Sequence, residues 1–163
     1  MSAASRKVLL FVTLTFVVLS LVPAGAHLFE LPNKIGLPAD QYMTVQRIYQ
    51  GWALFGFVVI PAILLTLWSA VAFRAERVPA SLLAGAFLCM AATQVIFWTF
   101  TYPANAATQN WTVMPADLEP LRRQWEYSHA VNAVLTFLAL MLTALATLNM
   151  RHEWPDAGDG RAR

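Results

Sequence analysis

Two short motifs hold the residues of this chain best suited to chemistry: His27-x-x-Glu30 and Glu126-x-x-His129. Histidine changes charge nearest neutral pH, and a carboxylate three residues away on a helix can hold its ring. Each pair sits at the end of an apolar stretch, and the two stretches lie far apart in the sequence. Several chemistries suit such a set. A transition metal could take His27, Glu30, Glu126 and His129, because Glu-x-x-His is the pattern of di-iron helical bundles. The full pattern needs further carboxylates, which the second and third apolar stretches do not supply. Haem could use His27 and His129 as axial ligands. Without any metal, a carboxylate-oriented imidazole could take a proton near neutral pH. The plainest alternative is a paired, wet helix end, stabilised by a few tenths of a kcal/mol.

The elements that must position these groups are membrane helices. The chain is 58% hydrophobic and 12% charged, against about 25% charged for a soluble domain. Apolar stretches at Val8–Leu31, Gln50–Phe73, Ala80–Tyr102 and Tyr127–Met150 each reach the roughly 20 residues that a spanning helix needs. The fold class is therefore all-α, a four-helix transmembrane bundle occupying residues 1–150 as a single domain. Residues 151–163 are read as a disordered polar tail.

Arg6, Lys7, Arg74, Arg77, Arg151, Arg161 and Arg163 fall on one side of such a bundle, and Lys34, Arg47, Arg122 and Arg123 on the other. By the positive-inside rule both termini, the tail and the 74–79 turn are cytoplasmic, in a multi-pass protein of the inner (cytoplasmic) membrane. Both motifs then lie at one depth on the outer side, where ionisable groups are costly unless paired. A net charge of +2 suggests no nucleic-acid partner, and membrane lipid and a hydrophobic small molecule are the partners expected. The single Cys89, in mid-span, reads as a small core or lipid-facing residue. A competing reading takes residues 1–26 as a signal peptide ending in Ala24-Gly25-Ala26, but the apolar character continues through His27 to Leu31.

Along the chain, Pro32 is expected to end the first span at Leu31, and Asp40 and Asp117 read as N-caps. Tyr42, Val45, Tyr49 and Trp52 follow helical spacing, which predicts one helix from Gln41 into the second span, kinked at Pro61. Thr13, Phe16, Ser20, Pro23, His27 and Glu30 form a stripe on the first span, and Glu126, His129, Asn132 and Thr136 form one on the fourth. Gln94, Trp98, Thr101 and Asn105 are expected on one face of the third. Stripes of this kind turn toward the bundle interior. Gln46 and Tyr49 reach the level of the two motifs. Trp52, Trp111 and Trp125 read as residues of the interfacial aromatic belt, and Arg122-Arg123 as a solvated or phosphate-facing pair.

The stretch from Gly25 through His27 and Glu30 to Lys34, followed by Val45-Gln46-Arg47-Ile48-Tyr49, resembles a family of small four-span membrane proteins that includes the anthrone oxygenases. Arg122-Arg123-Gln124-Trp125-Glu126-Tyr127-Ser128-His129-Ala130-Val131-Asn132 resembles that family's last-helix motif. The resemblance covers most of the chain outside its tails. It implies an oxygenase that converts an anthrone-type polycyclic phenol to a quinone with molecular oxygen and no added cofactor. It further implies His27 or His129 as the base, with Glu30 and Glu126 as orienting partners. Gln46, Tyr49, Asn105 and Asn132 would then be candidate donors to the substrate oxyanion.

Overall fold

In hydrocarbon every backbone N–H and C=O must be satisfied within the segment, and the helix does this for a single chain crossing. The computed structural model describes residues 1–150, and within them it holds four helical segments long and apolar enough to cross a membrane: Ala3–Lys34, Trp52–Ala72, Arg77–Ala107 and Leu118–Leu148. The chain order is α1 (Ala3–Lys34), α2 (Ala39–Gln46), α3 (Gly56–Ala72), α4 (Arg77–Ile96), α5 (Tyr102–Ala107) and α6 (Leu118–Leu148). Short 3₁₀ turns at Arg47–Tyr49 and Trp52–Phe55 join α2 to α3, and a π-helical turn at Phe97–Thr101 joins α4 to α5. No strand occurs among the described residues. The tail expected from Arg151 onward lies outside them.

The four long segments run up and down. α6 packs along α1 and α4, and α3 packs against the same two helices. Three apolar layers fill the bundle. Leu10, Phe73, Leu83 and Ala146 close one end, and Val17, Ala62, Ala86, Met90 and Ala139 fill the middle. Tyr42, Ala104, Trp111, Leu118 and Trp125 form the layer at the motif end. At the first end Arg6 pairs with Glu76 and its guanidinium lies 4.4 Å from the Phe73 ring centroid. The start of α1, the 73–76 turn and the close of α6 therefore share one end. Interior hydroxyls are tolerated because they return hydrogen bonds to their own helix, as Thr13 does to the Leu9 carbonyl at 2.8 Å. Thr13 also meets Ser69 of α3 at 2.8 Å.

Several sequence expectations are corrected here. α1 does not stop before Pro32 but runs on to Lys34, with Ile35 N–H still bonded to the Leu31 carbonyl. Proline removes one hydrogen bond but does not end the helix, and the Lys34 side chain of the final turn reaches Glu126 of α6. No helix runs unbroken from Gln41 into the second span. Gly51, at φ +87°, takes a left-handed conformation and divides it, so Trp52 begins a new turn. Asp40 lies in the first turn of α2 rather than capping it, since Pro38 holds the cap position. Asp117 does precede α6, although its side chain makes no capping bond. The π turn inserts extra backbone into the third span, so its predicted polar face splits: Trp98 is 60% exposed while Thr101 is fully buried against Ser128 of α6 at 2.8 Å.

Candidate functional site

The stripe on α1 buries Thr13, Ser20, Pro23, His27 and Lys34. His27 meets Glu30 one turn on, with Nδ1 2.9 Å from Oε1. An ionised carboxylate only accepts, so Nδ1 carries the hydrogen and Nε2 keeps its lone pair. Lys34 lies a further turn along, its side chain 3% exposed. Its ammonium donates to Glu30 at 3.2 Å and to the Tyr49 hydroxyl at 2.7 Å, and it pairs with Oε1 of Glu126 at 3.1 Å. Three donors thus meet three oxygens. The same nitrogen stands 4.4 Å from the Tyr49 ring centroid and 4.5 Å from that of Trp125, a cation–π arrangement.

From α6, fully buried Glu126 accepts from Tyr42 of α2 at 2.8 Å, and Gln46 donates to the same hydroxyl at 2.6 Å. Burial, and then the neighbouring Glu126 carboxylate, push the Tyr42 phenol above its ordinary range. Burial and the Glu30 carboxylate do the same to Tyr49. Both act as neutral hydroxyls. Arg122 donates to the carbonyls of Ile35 and Leu37 at 2.8 and 2.9 Å and covers the Tyr42 ring, which fastens the α1–α2 connection to α6.

The structure brings the two motifs together. The rings of His27 and His129 are 4.0 Å apart by centroid, tilted 36°. Tyr49, Trp52 and Trp125 complete an aromatic cage around His27 at 4.5, 5.2 and 5.0 Å. Within the motifs the pairing is unequal. Glu30 orients His27, whereas Glu126 turns to Tyr42 and Lys34. His129, half-buried against Trp125 at 4.2 Å, has no hydrogen-bond partner among the described residues. Asn105 stands beside the cluster, where its Oδ1 accepts from the indoles of Trp111 and Trp125 at 2.9 and 2.8 Å. Asn132 lies one turn beyond His129, half-buried, with Oδ1 unpaired.

Three expectations change. Trp111 and Trp125 are not belt residues: they are 4% and 3% exposed and wall the site. Arg122 is not solvated, since the carbonyls of the 35–37 turn draw it inward, whereas Arg123 is exposed. Lys34 and Tyr42, absent from the predicted site, are central to it. The spacings Glu30-x-x-x-Lys34 and Tyr42-x-x-x-Gln46 carried that signal, the first of them only if the helix passed Pro32.

As for metals, no group of three or more His, Cys, Asp or Glu side chains among the described residues is placed to hold an ion. His27 and His129 lie against one another, so in this arrangement a porphyrin plane has no room between them. What the site offers is one oriented imidazole, a second stacked on it, and a buried carboxylate–ammonium–carboxylate bridge. No protein-family model, curated protein or solved structure matches the chain.

Proposed function

We propose that this multi-pass membrane protein is an oxidoreductase of the cofactor-independent oxygenase kind, acting on a hydrophobic, anthrone- or quinone-like aromatic molecule at the outer face of the inner membrane. The observation that carries the reading is the His27–Glu30 hydrogen bond, which fixes an imidazole inside an aromatic cage at the end of an apolar bundle. In the proposed reaction Nε2 of His27 takes a proton from an acidic C–H flanked by aromatic rings, leaving an enolate. Molecular oxygen oxidises that carbon from CH₂ to C=O. One oxygen atom becomes the carbonyl, and the other leaves as water with both hydrogens. Glu30 stabilises the imidazolium as it forms.

The test uses purified full-length protein in nanodiscs, an anthrone as substrate, and oxygen uptake with quinone absorbance as the readout. His27→Ala is expected to abolish turnover while the helical fold is retained by circular dichroism, and Glu30→Gln to lower turnover about 10²-fold or more. Undiminished turnover in His27→Ala overturns the reading. A second reading has its own observation: Lys34, Glu30, Glu126 and Tyr49 satisfy one another, as they would in a non-catalytic membrane subunit or lipid-binding protein. Wild-type protein inert toward anthrones would favour that alternative.

A further inference from the structure

Three buried polar atoms around Tyr42 lack a hydrogen-bond partner among the described residues: Nε of Arg122, Oε1 of Gln46 and Oε2 of Glu126. Their residues are 3%, 2% and 0% exposed, so bulk solvent does not serve them. Buried polar atoms are nearly always paired, and three orphans on side chains that all touch one tyrosine require an explanation. All three side chains frame a single phenol. Gln46 donates to the Tyr42 hydroxyl, Tyr42 donates to the other oxygen of Glu126, and Arg122 lies 4.4 Å from the ring centroid. Arg122 and Glu126 are also one turn apart on the same face of α6.

The unused capacity of this group is one N–H to give and two oxygens to be filled. No pairing among the three meets it, because a single hydrogen cannot serve both oxygens. A cation would fill the oxygens but leave the N–H idle and set positive charge beside a guanidinium. An anion would face two acceptors. A molecule that accepts once and donates twice fits all three, and water making about three hydrogen bonds is the usual occupant of such a place.

We propose that one buried water molecule is an integral part of this structure, accepting from Nε of Arg122 and donating to Oε1 of Gln46 and Oε2 of Glu126. It joins α2 to α6. It also completes an unbroken line of polar contacts from His27 through Glu30, Lys34 and Glu126 to Arg122 and the carbonyls of Ile35 and Leu37. The water holds one oxygen of Glu126 so that the other remains for Lys34 and Tyr42. It stands whether or not the chain is an enzyme.

The test is an experimental structure of the full chain in lipid, at a resolution that shows ordered water. The expected result is a density peak about 2.7–3.2 Å from all three atoms. In Gln46→Met the peak should weaken or vanish while the Tyr42–Glu126 bond is kept. Two results would overturn the proposal in the wild-type protein alone: Oε1 of Gln46 and Oε2 of Glu126 in direct contact, sharing a carboxyl proton, or Nε of Arg122 bonded directly to Glu126 with no peak between them.

Discussion

Lys34 is the residue on which the charge balance of the site turns. It is the only ammonium group within reach of Glu30 and Glu126 among the described contacts, and both carboxylates approach it from different helices. Removing one partner of a buried ion pair is far more damaging than replacing the pair, because it strands a charge, at about 3–5 kcal/mol. Lys34→Met should therefore lower the melting temperature by more than any other single change in the site. Adding Glu126→Gln to it should restore part of the loss. A Lys34→Met protein that melts with the wild type would sink this account. The tyrosines make a separate prediction about alkaline pH. Tyr42 and Tyr49 have raised values in the folded chain, against an ordinary value of 10.0 once unfolded. Their contribution is then complete below about pH 10 and is lost as pH rises beyond it, since only the unfolded chain releases those protons. Melting temperature should fall above that pH, and Tyr42→Phe should make the fall shallower. A fall equally steep in Tyr42→Phe would contradict it.

At the scale of elements, the region between α2 and α3 decides whether the cage closes. Gly51 sits at φ +87°, and a Cβ added there would meet nothing within 4 Å. The penalty of a side chain at this position is therefore conformational, about 1–2 kcal/mol for an L-residue in the left-handed region. Gly51→Ala should lower the melting temperature by roughly 2–8 °C. It should also loosen Trp52 from His27, read as altered tryptophan fluorescence. An unaltered melt and spectrum would show that the turn bears no such constraint. The same region shows what a sequence can and cannot disclose. The α1 stripe from Thr13 to His27 was legible because regular helical spacing survives into the fold. The convergence of His27 with His129 was legible too, from antiparallel spans of similar length. Lys34 was hidden by Pro32, which lies inside the helix instead of ending it. The π turn was hidden because no local pattern announces an added residue, and its consequence is the separation of Trp98 from Thr101. Asn105 read as part of a polar face and a candidate donor, since its role as a brace between two indoles depends on the 108–117 loop folding back.

For the whole molecule, the expected orientation rests on the asymmetry of charge between the two ends. Lys34 and Arg122 were counted as outward-facing positive residues, yet both are buried and engaged within the motif end. Of the basic residues there, Arg47 and Arg123 remain exposed, whereas Lys7, Arg74 and Arg77 are exposed at the opposite end. Arg6 at the opposite end is paired too, with Glu76. The expected topology therefore has the start of α1 and the 73–76 turn in the cytoplasm and α2 with the 108–117 loop outside. Single cysteines in a Cys89→Ala background test it, because Ala75, Thr44 and Thr112 are exposed positions on the two ends. A membrane-impermeant maleimide applied to intact cells should label Thr44→Cys and Thr112→Cys and leave Ala75→Cys unlabelled until the membrane is opened. The reverse pattern would place the His27 site on the cytoplasmic side, and with it the source of any molecule that enters.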